Sequence, residues 1–141
     1  MKRRMVNKVI PVVGALIIKN KKIFIAQRKS EGVNYQKWEF PGGKIEPGES
    51  EPEALVREIK EELAWQISVG EKLMTSSVND DNRTITLTVY YAKLVDEEKQ
   101  PTLLDHLDFK WVTAQELNDF DFPLADIPIV RNIISKELPS F

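Results

Sequence analysis

Two adjacent glycines, Gly42 and Gly43, lead in a few residues to a segment that carries three closely spaced glutamates, Glu58, Glu61 and Glu62. This arrangement restricts the chain more than any other. Ser50 and Glu53 have the spacing of a capping box, and Pro52 suits a first helical turn, so a helix is predicted from Ser50 to about Leu63. On a wheel advancing about 100° per residue, Leu55, Val56, Ile59 and Leu63 form the apolar stripe. Glu58, Glu61 and Glu62 gather beside that stripe, Arg57 adjoins Glu61, and Lys60 points away. Like charges at three- and four-residue spacing destabilise a helix by roughly 0.2–0.5 kcal/mol per pair. They also lie toward the C-terminal end, where the helix dipole disfavours them. A solvated acidic face is the plain reading, but it would interleave lysines. A site for a hard divalent cation, in which the ion offsets the repulsion, accounts for the crowding. Gly42 and Gly43 leave backbone carbonyls free to approach an ion or a phosphate, and Glu49 is placed to fold back over the first turn.

Composition narrows the chemistry further. The chain has no cysteine and a single histidine, His106. Disulfide frameworks, zinc–thiolate sites and thiol nucleophiles are thereby excluded, and any metal must sit in oxygen ligands such as suit magnesium, manganese or calcium. His106 itself reads as a loop or surface residue. With 20 Lys+Arg against 22 Asp+Glu, the net charge of −2 gives no broad attraction to polymeric nucleic acid. A length of 141 residues, 42% hydrophobic and 30% charged, suits one folded domain, 1–141. Lys2, Arg3 and Arg4 precede the apolar run Val9–Ile18, but that run is too short to span a bilayer and lacks a small-residue cleavage site. It reads as a strand of a cytoplasmic protein with no membrane association.

Strands are predicted over 8–18 and 22–28, joined by a polar Asn/Lys turn into a hairpin. A short apolar piece follows at Trp38–Phe40, then strands at Val69–Ser77 and Arg83–Val95 around the turn Asn79–Asn82, and a last strand at Phe109–Val112. Thr113 and Glu116 make a second capping box, and Ile127–Leu138 is predicted as an amphipathic helix. Strands on both sides of a helix, with a helix at the end, indicate an α/β (α+β) fold, a mixed sheet covered by helices.

The stretch Gly43, Glu49, Arg57-Glu58-Ile59, Glu61-Glu62-Leu63 and Trp65 resembles the Nudix box, G-x5-E-x7-R-E-U-x-E-E-x-G-U, at every charged position. The departure is Ala64 where the pattern has glycine; alanine disfavours positive φ, so the helix end is expected to differ. Trp38-Glu39-Phe40-Pro41-Gly42-Gly43-Lys44-Ile45-Glu46, Ile23–Arg28 and Asp121–Pro128 are similar to the MutT-like branch of the same superfamily. The resemblance implies an α/β/α sandwich around a mixed sheet and hydrolysis of a nucleoside triphosphate to monophosphate and pyrophosphate. It implies Mg2+, with Mn2+ able to substitute, held by Glu58, Glu61, Glu62 and the Gly42 carbonyl. One carboxylate among Glu58, Glu61, Glu62 and Asp105 takes a proton from the attacking water, and Arg57 orients the acids. Asp105 occupies the place of a further family acid, six residues before Trp111, and is one methylene shorter.

For substrate binding the resemblance points to Arg28 at the phosphates and to Asp126 at the base. Tyr35, Trp38 and Phe122 are aromatic candidates for stacking on that base, and each reads equally well as core. An ionised Asp126 only accepts hydrogen bonds, which favours a base with amino donors such as cytosine; a protonated one suits 8-oxoguanine. The alternative is that Asp126 merely caps the last helix. The partner is thus a small nucleotide, bound by a monomer or homodimer. Diphosphate-X hydrolases of the superfamily often carry proline or tyrosine about sixteen residues past the box, where this chain has Asp81.

Overall fold

The computed structural model describes residues 8–29, 31–80 and 82–139, so Lys2, Arg3, Arg4 and Asp81 lie outside the described residues. Strand β1 (Lys8–Lys19) runs through the middle of the sheet and explains its own sequence. Val13, Ala15 and Ile17 face one side while Leu16 and Ile18 face the other, and all are buried. A strand covered on both faces reads as a continuous apolar run rather than an alternating one. Asn20 and Lys21, both at positive φ (52° and 61°), turn β1 into the antiparallel β2 (Lys22–Arg28) with the twist that a two-residue hairpin needs.

The remaining elements are β3 (Trp38–Glu39), β4 (Gly42–Lys44), α1 (Glu51–Leu63), β5 (Ile67–Asp80), β6 (Arg83–Leu94), β7 (His106–Val112) and α2 (Ile127–Ile134). Short 3-10 turns at Gln115–Asp119 and Leu124–Asp126 precede α2. Strand order is β3-β2-β1-β6-β5, with β4 on β1 and β7 on β2. The central pair β1–β6 is parallel, from Lys8 opposite Arg83 to Ile17 opposite Ala92, and the other pairings are antiparallel. Helix α1 lays Ala54, Leu55, Ile59 and Leu63 on one face of the sheet, around Phe24 and Trp65. Helix α2 lays Ile129, Val130 and Ile133 on the other. The mixed sheet between helices is the expected sandwich.

Three local expectations are corrected. Val56 is exposed rather than in the buried stripe, because Glu62 occupies the inward position on the other flank of α1. Strand β5 is longer than predicted and absorbs register shifts near Lys72, whereas β6 ends one residue earlier, at Leu94. Helix α2 stops at Ile134, not Leu138; the Ser135 hydroxyl turns back to the Asn132 carbonyl, and Leu138 precedes Pro139, which disfavours helical backbone.

Ala64 does what a glycine would do. It ends α1 in the left-handed region (φ 54°, ψ 34°), its N–H donating to the Lys60 carbonyl, so the helix end keeps its shape at a cost in strain. Ala64→Gly is therefore expected to stabilise the protein by about 0.5–1 kcal/mol. A urea midpoint that falls instead of rising would show that no such strain exists.

Candidate active site

The acid-rich face of α1 is organised first by a cation of the chain itself. Arg57 donates from Nε (2.6 Å) and Nη2 (2.9 Å) to the two oxygens of Glu49. Its Nη1 reaches Glu58 (3.0 Å) and Glu61 (3.2 Å), and Nη2 also donates to the Lys44 carbonyl (3.1 Å). This fork ties the glycine-loop backbone to the helix. Glu49 closes the same loop by accepting the Glu46 N–H (2.9 Å), and Arg57 holds its carboxyl below the ordinary carboxylate range. Glu61 remains largely in solvent, while Glu58 is half-buried against Gly43. A Cβ on Gly43 would stand 2.4 Å from the Glu58 carboxyl carbon, and one on Gly42 would strike the Val13 carbonyl. Only glycine permits this approach of loop to helix.

Glu62 is the acid that Arg57 does not reach. It is 7% exposed, and its Oε1 has no hydrogen-bond partner. Burial, then the negative charges of Glu39, Glu58 and Asp105, push its carboxyl from the ordinary 4.5 up to about 9; the Gly42 backbone works in the opposite direction. Burial likewise raises Glu58, against the pull of Arg57. The loop that follows β6 supplies the neighbours. The last carbonyls of a helix lack intrahelical donors, and here Thr102 N–H donates to Leu63 (2.9 Å) and Leu104 N–H to Glu62 (3.0 Å). That docking brings Asp105 and His106 alongside Glu62.

His106 is no surface residue. Its side chain is 1% exposed, with Nε2 2.9 Å from Glu39 Oε2 and 3.7 Å from Glu62 Oε2. The other Glu39 oxygen accepts from Arg28 Nη1 (2.5 Å). Glu39, Glu62 and His106 place one ligand atom each within 4.8 Å of one another. The sequence reading missed Glu39 and dismissed His106. The available signal was Glu39 itself, an ionisable residue between Trp38 and Phe40 in a segment that reads as buried.

Glu39 and Glu62 line a cavity of about 360 Å3 together with Arg28, Gly42, Gly43 and Asp105. Ile10, Val12, Ile85 and Leu87 supply apolar wall, and Asp126 lies with Ala125 and Pro123. The size and the mixed lining suit a small ligand that carries both charged and apolar groups. Asp126 is 6% exposed and makes no capping hydrogen bond to α2, so it does not serve as the helix cap. Burial, then the charge of Glu39, raises its carboxyl from 3.8 to about 8, while the Phe40 backbone and Arg28 pull the other way.

The aromatic candidates lie elsewhere. Phe122 is buried and stacked on Phe40 (5.5 Å), and Trp38 meets Phe120 edge-on (5.2 Å). Tyr35 is exposed, and none of the three lines the cavity. Trp38 and Phe122 pack into the α2-side core, and Tyr35 stands in solvent.

Residues 8–133 match the NUDIX domain family. The chain belongs to the Nudix family. The CTP pyrophosphohydrolase of Escherichia coli K12 is 35% identical over 124 residues, 88% of this chain and 90% of that protein. The 8-oxo-dGTP diphosphatase of the same organism is 35% identical over 125 residues, 86% and 92% of the two chains. The solution structure of the E. coli ORF135 protein superposes with a TM-score of 0.80 at 34% identity, covering 91% of this chain and 90% of that one. This Nudix protein is a MutT-like hydrolase of phosphoanhydride bonds that acts on nucleotides. The donor set fits the divalent metal that such hydrolases generally use: Glu62 has an orphaned, buried carboxylate oxygen beside further carboxylates, and oxygen donors suit a hard cation. Among the described residues no helix is long and apolar enough to cross a membrane.

Proposed function

We propose that this Nudix hydrolase is a Mg2+-dependent nucleoside triphosphate pyrophosphohydrolase, with cytosine nucleotides its preferred substrates and NMP and pyrophosphate its products. Glu58, Glu61, Glu62 and the Gly42 carbonyl would hold the ion. When bound, Mg2+ (or Mn2+ in its place) supplies charge neutralisation for the triphosphate and a water of lowered pKa. Arg57 fixes the acids of α1 and the glycine loop in one geometry. Arg28, which lines the cavity, binds phosphate. One of Glu58, Glu61, Glu62 and Asp105 accepts the proton of the attacking water.

The observation that carries the base preference is Asp126, buried in the cavity wall, where burial and the charge of Glu39 raise its carboxyl and favour the neutral form. A neutral carboxyl offers one donor and one acceptor, which match N3 and the N4 amino group of cytosine together. The similarity to a CTP pyrophosphohydrolase supports the same choice. An oxidised purine is the second reading, since 8-oxoguanine presents N1–H and a carbonyl to the same carboxyl.

The test is a Mg2+ assay of CTP, 5-methyl-dCTP, dGTP and 8-oxo-dGTP that identifies both products. Monophosphate and pyrophosphate support the reading; cleavage of ADP-ribose in their place defeats it. As pH rises through about 8, Asp126 ionises and loses its donor. Cytosine then faces a repulsive carboxylate at N3, whereas the N1–H and N2–H2 donors of 8-oxoguanine are still accepted. The CTP to 8-oxo-dGTP rate ratio is expected to fall across this range, and to be flat in Asp126→Asn. A ratio that follows the same curve in the variant would remove Asp126 from base reading.

A further inference from the structure

We propose that His106 is a positioning residue: by holding one oxygen of Glu39, it fixes the direction in which the other oxygen presents Arg28 to the cavity. The inference rests on the reading of Arg28 as a phosphate-binding group.

Strand register brings the three residues together. Glu39 on β3 is opposite Ala26 on β2, and Arg28 lies two residues farther along β2, so the side chains share a sheet face. On the other edge of β2, Ala26 pairs with Phe109 and Gln27 with Asp108. A regular ladder would then set Leu107 opposite Arg28. A bulge between Gln27 and Arg28 sets His106 there instead, re-aiming a side chain beside the site as bulges commonly do. The face is the one that α1 covers, which is why Glu62 Oε2 lies 3.7 Å from the ring.

Rigidity passes outward along this chain of contacts. The His106 side chain is 1% exposed, that of Glu39 16%, and that of Arg28 30%. A carboxylate held at one oxygen rotates freely about its last bond, because terminal sp3–sp2 torsions are broad. The Nε2–H of His106 holds Glu39 at 2.9 Å and removes that rotation. Arg28 needs the support: its Nε is buried without a hydrogen-bond partner, so the Nη1 contact to Glu39 orients the guanidinium. Both oxygens of Glu39 are thus engaged by chain donors, and His106 acts through them rather than on the reacting atoms.

Steady-state kinetics of CTP hydrolysis test the device. His106→Phe keeps a planar aromatic ring, one ring atom larger, and removes the donor; KM is expected to rise about 10-fold or more with kcat within about threefold, and His106→Gln, which restores an N–H donor, to recover KM to within about threefold. In an Arg28→Ala background His106→Phe is expected to add less than about twofold, since it acts only through Arg28. An equal effect with and without Arg28 overturns the proposal in favour of plain structural support. A loss of Mn2+ affinity of about 10-fold or more in His106→Phe, read by EPR titration, overturns it in favour of metal ligation. If the wild-type protein hydrolyses no triphosphate, the proposed function has failed, and the device is read without turnover. The 15Nε–1H resonance of Arg28 then shifts or broadens in His106→Phe and returns in His106→Gln; an unmoved resonance rejects the positioning role.

Discussion

Glu62→Gln is expected to lower Mg2+-dependent turnover about 1,000-fold or more while the protein stays folded. Glutamine keeps the size and removes the charge from the one box acid that no cation of the chain reaches. Loss of a metal interaction worth several kcal/mol in the transition state corresponds to a factor of that order at about 1.4 kcal/mol per decade. Stability moves the opposite way. In the metal-free protein the Glu62 carboxyl is raised from 4.5 to about 9, so the folded form holds the proton more tightly than the unfolded form. Its contribution is fully present below about pH 4.5 and is lost as pH rises toward 9. Asp126, raised from 3.8 to about 8, adds a slope of the same sign. Metal-free wild-type protein is therefore expected to weaken from pH 5 to pH 9, and Glu62→Gln to weaken less. Mg2+ reverses this order by binding the ionised carboxylate, stabilising the wild type more than the variant. Thermal melts with Mg2+ and with EDTA at both pH values check the pattern. Near-normal turnover in Glu62→Gln would sink the metal-site reading.

The second large effect belongs to Arg57. Lysine preserves its charge, but it has a single ammonium in place of a planar fork and cannot span Glu49, Glu58, Glu61 and the Lys44 carbonyl together. Arg57→Lys is expected to lower kcat/KM about 100-fold and to raise the Mg2+ concentration for half-maximal rate about 10-fold, the cost usual when residues that orient metal ligands are lost. The guanidinium is held far on the protonated side by Glu49 and Glu58, so the defect is expected to be equal at pH 6 and pH 9. A defect that vanishes at one end of that range would mean that a titrating group, not fork geometry, carries the role.

Much of the site was legible because it is local. The helix start, the capping box, the three acids on one flank and the proximity of Arg57 to Glu61 all follow from a 3.6-residue repeat within a dozen positions. The wheel nevertheless treated the three acids alike, whereas the sheet grades them: Glu62 is driven under the loop 95–105, Glu58 rests on Gly43, and Glu61 stays in water. It also assigned the relief of crowding to a metal alone, although Arg57 neutralises two of the three. Trp38 and Phe122 were open between core and pocket wall. An aromatic residue near a candidate site has the same sequence signature whether it meets a ligand or the core, and packing against Phe120 and Phe40 decided for the core.

From residue order alone come the box, its capped helix, the absence of sulfur ligands and the buried central strand, since each depends on side chains a few positions apart or on composition. Long-range pairing decided the rest. Glu39, Arg28 and His106 are strangers in the sequence and meet only because β3 and β7 flank β2, with one bulge shifting the register. Asp126 makes no cap to α2, and its carboxyl is raised, because the fold removed it from water. Ionisation and side-chain direction depend on which surfaces the finished sheet covers, and no short window of residues specifies that.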